Sequence, residues 1–328
     1  MKILVIRLSS FGDQIHLCPA VSDLKRRRSD IKIYWVVQSE FATVPLAHQD
    51  VTRVFLLPLT KLRQSPLKFS LWRDFFRIVK QLRNEHFEIA IDAQGVIKSA
   101  TVALLSGARE RIGFDRQGIA ESLAYWFYHR HFDYEPGMTS VTKLRQYFSW
   151  VFGLAPPDGE PKFGLLSLKR PRQLSKNLLL FVPFASSASK MLDSNSWIIL
   201  AESIQKNSPM IKIHMSWGST HERSIAHELL ALSSGKIIPN PRRLESSELI
   251  DTLMGYSVVV GVDTGITHLA NALGIPTVMI FKKSAPQLFY TAGSPYSMQL
   301  GSANVGPTQE ELEAKVLGLL KRIPEVYS

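Results

Sequence analysis

The sequence predicts an α/β fold made of two doubly wound parallel-sheet domains. Three observations carry that prediction. Strand-length apolar runs alternate with helical periodicity along the chain. The alternation breaks down at Leu154–Pro161 (LAPPDGEP), where proline, glycine and acidic residues mark a linker and divide the chain into domains 1–160 and 161–328. The same strand–turn–helix design also occurs twice, at the N-terminus and again at Tyr256–Phe281.

In chain order, Lys2–Leu8 (KILVIRL) reads as a strand and Ser9–Asp13 as a loop. Leu17, Ala20, Val21 and Leu24 then recur at i, i+3, i+4 and i+7, one face of a helix. Pro19 is expected in or near that helix's first turn, where a missing N–H costs little. Lys25-Arg26-Arg27-Arg28 closes the helix, where cations complement the dipole. Asp13 then sits on the loop or first turn at a strand's carboxyl end, and the residues alone favour a helix cap. Further strands are expected at Ile31–Val37, Val54–Leu57 and Phe87–Asp92, with helices between or after them.

After the linker the pattern restarts with a strand over Asn177–Phe184 and a helix near Trp197–Gln205. Strand Ile211–Met215 and helix Glu222–Leu232 follow. Tyr256–Phe281 (YSVVVGVDTGITHLANALGIPTVMIF) is the most informative stretch. Val258-Val259-Val260 is the unbroken apolar run of a strand buried on both faces, and Asp263-Thr264-Gly265 suits a tight turn and helix N-cap. Ile266, Leu269, Ala270 and Leu273 form a helical face, Gly274 and Pro276 end it, and Thr277–Phe281 is the next strand. A helix N-terminus at a strand's carboxyl end offers N–H groups and a positive dipole end to phosphate. The same turn serves equally as plain structure capped by Asp263. Thr308–Glu311 (TQEE) has the capping-box pattern before a last helix, expected to pack back toward the first domain.

Composition narrows the class. The chain has 328 residues, 45% hydrophobic and 20% charged, so it is globular, with length for two cores. One cysteine, Cys18, forms no internal disulfide and no thiolate cluster. The N-terminal apolar run is interrupted by Arg7 and too short for a signal peptide, and no run approaches membrane-spanning length, so a cytoplasmic protein is expected. Gly-x-Gly-x-x-Gly after the first strand, the P-loop, His-Glu-x-x-His, Asp-x-Asp and Gly-x-Ser-x-Gly are all missing, which argues against dinucleotide, P-loop, zinc-protease, metal and hydrolase readings.

The formal net charge is +11, concentrated in residues 1–150, where 22 Lys/Arg face 14 Asp/Glu. Between Lys61 and Arg83, seven cations (Lys61, Arg63, Lys68, Arg73, Arg77, Lys80, Arg83) interleave with Phe69, Leu71, Trp72, Phe75 and Phe76. That mixture suits an anionic membrane surface or lipid headgroup. A solvated helix with its apolar side on the core accounts for most of the same residues. No helix-turn-helix, zinc-finger or RNA-recognition signature supports nucleic-acid binding.

Six segments together carry a resemblance: SSFGDQIHLCPA (Ser9–Ala20), WVVQSEFA (Trp35–Ala42), IDAQGVIKSA (Ile91–Ala100), ARERIGFDR (Ala108–Arg116), WGSTHE (Trp217–Glu222) and VDTGITHLANALGIPTV (Val262–Val278). In this order and spacing the chain resembles the ADP-heptose:lipopolysaccharide heptosyltransferases of glycosyltransferase family 9, most closely the heptosyltransferase I branch. The resemblance implies a GT-B architecture, two Rossmann-like domains facing across a cleft. It implies an inverting, metal-independent transfer of heptose from ADP-heptose to Kdo of lipid A, by a monomer working peripherally on the cytoplasmic face of the inner membrane.

The resemblance also assigns residues. Asp13 matches the general base. Thr264 and Gly265 match the phosphate-contacting turn, with Asp263 and His268 orienting donor sugar and phosphate groups. Lys190 matches a diphosphate-binding lysine, Glu222 an acid for ribose hydroxyls, and Ser186 stands where the family often has threonine. Acceptor candidates are Lys61, Arg63, Lys98 and Arg116. Two stretches depart from the family pattern: Phe184–Trp197 lacks its threonine-rich form, and Phe281-Lys282-Lys283-Ser284 replaces a Gly-Pro-Thr type of turn. Alternatives are a sibling that adds a later heptose or uses another nucleotide sugar, a nucleotide-sugar binder without catalysis, and a basic nucleic-acid binder.

Overall fold

The computed structural model describes residues 1–133, 135–165, 177–244, 248–283, 295–302 and 304–326. The chain forms two compact units, 1–166 and 167–328. The first carries β1 (Lys2–Ile6), β2 (Lys32–Gln38), β3 (Val51–Leu57), β4 (Ile89–Asp92), β5 (Glu110–Phe114) and β6 (Arg130–Phe132) in one sheet, ordered β3-β2-β1-β4-β5-β6. The second carries β7 (Leu178–Val182), β8 (Lys212–Met215), β9 (Ile237–Pro239), β10 (Val258–Val262), β11 (Thr277–Ile280) and β12 (Met298–Leu300), ordered β12-β11-β10-β7-β8-β9. Every pairing is parallel. Counted within its own unit, each sheet has the doubly wound order 3-2-1-4-5-6, whose direction of winding reverses between β1 and β4 and between β7 and β10. Ligands in such sheets bind beyond the strands' carboxyl ends at that reversal.

The first-unit helices are α1 (Phe11–Arg27), α2 (Thr43–Ala47), α3 (Leu59–Gln64), α4 (Phe69–Asn84), α5 (Ile97–Leu105) and α6 (Ser140–Val151), with a 3-10 turn at Ser122–Phe127. Leu4 and Ile6 of β1 and Leu8 just after it pack with Leu82 of α4 and with Val102 and Ala103 of α5 in one buried core. The second unit adds α7 (Ser194–Asn207), α8 (Thr220–Leu232), α9 (Leu249–Leu253), α10 (Gly265–Ala272) and α11 (Gln309–Val326). Its core joins Phe181, Trp197, Ile213 and Val260 to Leu312, Val316 and Leu319 of α11, so the described part of that last helix packs within its own unit.

Two expectations shift. α1 begins at Phe11, so Pro19 lies in the helix interior rather than its first turn. Ser10 N–H donates to Asp13 Oδ2 at 2.8 Å and closes the N-terminus there. Burial of every residue from Gln14 to Leu24 offsets the lost proline hydrogen bond.

The described part of the linker, for its part, is fastened to the first unit rather than free. Arg145 donates to the carbonyls of Asp158 and Gly159 at 3.2 and 3.1 Å, and Arg27 to that of Ala155 at 2.8 Å. His48 and Leu165 form an antiparallel bridge. Those contacts place the division after Leu166 instead of after residue 160.

Candidate active site: a residue cluster in each unit

In the first unit the chain leaves β1 at its reversal point and turns into α1. That turn carries Arg7, Ser9, Ser10 and Asp13. Asp13 is the third residue of α1, so the cap expected from sequence is present. Its Oδ2 accepts from the Ser10 N–H at 2.8 Å and from Ser10 Oγ at 3.1 Å. Its other oxygen, Oδ1, lies 2.7 Å from Arg7 Nη2. Burial pushes this carboxyl up, but the Arg7 charge, the Ser10 N–H and His16 outweigh it and hold Asp13 below the usual carboxylate range. Arg7 in turn donates to the Ala93 carbonyl, which ties the end of β1 to the end of β4.

The loop after β4 completes this cluster. Asp92, fully buried, accepts from the N–H groups of Gln94 and Gly95 at 2.8 and 3.1 Å and from Tyr128 Oη at 2.7 Å. Burial raises its pKa against those hydrogen bonds. Gln94 then receives the Leu8 N–H at 2.9 Å and donates to Ser9 Oγ at 3.0 Å. Lys98, in the first turn of α5, reaches Ser9 Oγ at 3.4 Å, which brings this acceptor candidate to the Asp13 loop.

Arg116, after β5, lies instead over the rings of Tyr125 and Trp126, 4.8 and 5.3 Å from their centroids. Lys61 and Arg63 stand exposed on α3, which follows β3 at the sheet edge two strands from β1. Sequence reasoning missed Lys143. This α6 lysine sits over the Phe114 ring at 4.6 Å, and burial first, then Arg7, lower its pKa while Asp13 raises it. Arg7 and Asp92 were visible as charges at the ends of apolar strands, a placement that in retrospect marks them.

In the second unit the loops after β7 and β10 meet at the other reversal point. Lys190 Nζ lies 2.7 Å from Asp263 Oδ2, and His268 Nε2 lies 2.9 Å from Oδ1. Asp263 and His268 are buried, whereas Lys190 is part-exposed. Thr264 is the N-cap residue of α10 and Gly265 its first residue, so backbone N–H groups lie beside that ion pair at a positive dipole end. At Gly261 an added Cβ would stand 2.4 Å from Thr267 Oγ1 and 2.8 Å from Val182 Cβ, so only glycine lets β10, β7 and α10 approach this closely.

Ser186 is exposed in the loop after β7. Glu222 is the third residue of α8, and its Oε2 accepts from the Gly218 and Ser219 N–H groups at 2.5 and 3.2 Å, so the capping role is occupied by that oxygen. Lys282 donates to the Met191 carbonyl at 3.2 Å, joining the two departing stretches. Ser284 lies outside the described residues.

Comparison with known proteins now bears on these two clusters. Residues 75–317 match glycosyltransferase family 9 (heptosyltransferase). The chain is 31% identical over 294 residues to lipopolysaccharide heptosyltransferase 1 of Pseudomonas aeruginosa, covering 87% of this chain and 80% of that one. It is 28% identical over 295 residues to the Escherichia coli K12 protein of the same name, covering 88% and 90%. A solved structure of E. coli heptosyltransferase WaaC with ADP superimposes with a TM-score of 0.84 at 24% identity, covering all of both chains. The fold is accordingly that of the GT-B glycosyltransferases. The chain belongs to glycosyltransferase family 9, the heptosyltransferase family, and is a glycosyltransferase.

Proposed function

We propose that this enzyme moves heptose from ADP-heptose onto a Kdo sugar of lipid A, inverting the anomeric configuration without a metal ion. The observation that carries the reading is Asp13, an ionised carboxylate held at the turn after β1 by Arg7 and Ser10. Its similarity to lipopolysaccharide heptosyltransferase 1 proteins supports the acceptor class. Structures of WaaC with ADP and with ADP-2-deoxy-2-fluoro heptose support the donor.

In the proposed step an acceptor hydroxyl oxygen attacks the anomeric carbon while the bond from that carbon to the ADP oxygen breaks. The hydroxyl proton passes to Asp13, and the electron pair leaves with ADP. A carboxylate of lowered pKa is a weak base. The attacking oxygen becomes acidic as its bond to carbon forms, so a weak base suffices late in the step. One carboxylate serves a direct displacement, unlike the pair of a glycosidase.

Negative charge growing on ADP is met by Lys190 and by the first N–H groups of α10. Asp263, already shared between Lys190 and His268, orients the lysine and accepts from sugar hydroxyls. Glu222 faces ribose with the oxygen not used in its cap, and Ser186 donates to phosphate. Among the described residues no group of three or more His, Cys, Asp or Glu is placed to hold a metal. Lys98, Arg116, Lys61 and Arg63 are assigned to the acceptor's carboxylates and phosphates. We place the enzyme as a monomer on the cytoplasmic face of the inner membrane, held peripherally; no described helix is long and apolar enough to cross a bilayer.

The test is ADP release from ADP-heptose with Kdo-lipid A, in EDTA and in magnesium, for the native enzyme and Asp13→Ala. Acceptor-dependent release that survives EDTA and collapses in the variant is expected. Donor binding without release would leave a nucleotide-sugar binder instead.

A further inference from the structure

Among the described residues, the large apolar side chains exposed in the second unit are Met210, Leu232, Ile238 and Val305, and every exposed Phe or Trp lies in the first. Most of them lie on one helical layer. At 3.6 residues per turn, α4 divides into three sectors. Leu71, Phe75, Ile78, Val79 and Leu82 face inward, and Leu82, Phe75 and Ile78 join the core. Phe69, Trp72 and Phe76 form the next sector, 80%, 38% and 60% exposed, and Leu67 just before the helix is 98% exposed. Arg73, Arg77 and Lys80 form the third, all exposed.

The aromatic sector is held in place. Trp72 Nε1 donates to the Pro66 carbonyl at 2.8 Å, and the Phe76 ring touches those of Trp72 and Phe75 at centroid distances of 6.2 and 5.5 Å. The layer continues beyond α4. α5 packs beside α4, and the Ser122–Phe127 turn packs beside α5. That turn exposes Leu123 at 62% and Trp126 at 72%.

We propose that this layer docks onto an anionic lipid bilayer, with Leu67, Phe69, Trp72 and Phe76 seated at the headgroup–acyl boundary. The proposal rests on the acceptor reading above and names the surface that reading leaves open. Charge decides the occupant. Residues 61–84 carry seven cations and a single carboxylate, Asp74, which Arg77 meets at 3.0 Å. Exposed rings bordered by Lys and Arg are what a helix lying in an anionic interface presents, with long cationic side chains reaching the phosphates. A protein partner would have to supply a large acidic, apolar surface. The same layer also contains Lys98, whose contact with Ser9 leads directly to Asp13, so a docked layer brings a lipid-borne sugar toward the proposed base.

The experiment is co-sedimentation of the full chain with phosphatidylcholine vesicles, with and without phosphatidylglycerol. It compares the native enzyme with Phe69→Asp/Phe76→Asp and with Arg73→Glu/Arg77→Glu. All four positions are exposed and outside both residue clusters, and thermal melting plus ADP binding check that each variant is folded. The native enzyme is expected to pellet only with anionic vesicles, less so as salt rises, and each double variant to lose about tenfold or more of its partitioning. Turnover on a water-soluble Kdo acceptor should be unchanged. Failure of the native enzyme to pellet, pelleting insensitive to lipid charge, or equal pelleting of the variants overturns the surface. Normal pelleting with no turnover on either acceptor overturns the reaction instead.

Discussion

Arg7 Nη2 stands 2.7 Å from Asp13 Oδ1, so the proposed base is ionised by a partner from its own strand end. Arg7 also bonds the Ala93 carbonyl, which couples the base to the loop after β4. The cap and the base are therefore not rival readings of Asp13: Oδ2 closes the helix while Oδ1 is set by Arg7.

Replacing Asp13 separates the two roles. Asp13→Asn keeps an oxygen that accepts the Ser10 N–H and should melt close to the native enzyme, while kcat falls by about 10²–10⁴-fold, the span of general-base effects. Asp13→Ala should lose turnover similarly and also about 0.5–2 kcal/mol of stability through the cap. ADP binding should be unchanged in both, measured by calorimetry beside turnover and urea melts.

Arg7→Met should move the acid limb of the kcat/KM profile to higher pH, because the largest influence lowering Asp13's pKa is gone. The sign for stability follows the same shift. A carboxyl whose folded pKa is depressed contributes stability above its unfolded value, near 3.9, and loses it as pH falls through the folded value. Arg7→Met should therefore flatten the acid end of a stability–pH curve. Lys143→Met should move the acid limb the same way and by less, since Lys143 also faces Asp13 with its charge. An acid limb that stays put in Arg7→Met would remove the ion pair from the mechanism.

The paired six-strand parallel sheets were legible because buried parallel strands read as continuous apolar runs, as at Lys2–Leu8 and Val258–Val262. Short edge strands such as β6 and β9, three residues each, carry too few apolar positions to register against their surroundings. The apolar face of Leu17, Ala20, Val21 and Leu24 spans only part of α1, in which the polar Gln14, His16 and Asp23 are also buried. Polar residues made core by tertiary contact leave no periodic trace. Asp13, Asp263 and His268 stand in motif segments and Lys190 follows the second unit's first strand, and the last three converge in space. Lys143 and Tyr128 were not found, because each reaches its site from a remote element with no local pattern to betray it.

Lys190→Met should weaken ADP and ADP-heptose binding by about 10–100-fold, the worth of a charge-assisted hydrogen bond to phosphate. Its effect on stability should be smaller, because the lysine is about one-third exposed and His268 still meets Asp263. Calorimetric Kd values and thermal melts separate the two. A larger loss of stability than of affinity would make Lys190 a structural partner of Asp263 and nothing more.

Asp92 offers a pH test of opposite sign. Burial raises its folded pKa above the ordinary carboxylate value. Between those two values the folded state binds more protons than the unfolded one, so the Asp92 contribution to stability improves as pH falls through that window. Asp92→Asn should abolish this component, since its amide oxygen still accepts from Gln94 and Gly95 and its nitrogen donates toward Tyr128 Oη. Tyr128→Phe should instead leave Asp92 Oδ2 buried without its 2.7 Å donor, costing about 1–3 kcal/mol near neutral pH and less in acid. Because Gln94 orders Ser9 beside Asp13, Tyr128→Phe should lower kcat while ADP affinity stays native. Denaturant melts across pH, paired with turnover, would show whether this buried carboxylate positions the catalytic loop or merely fills the core.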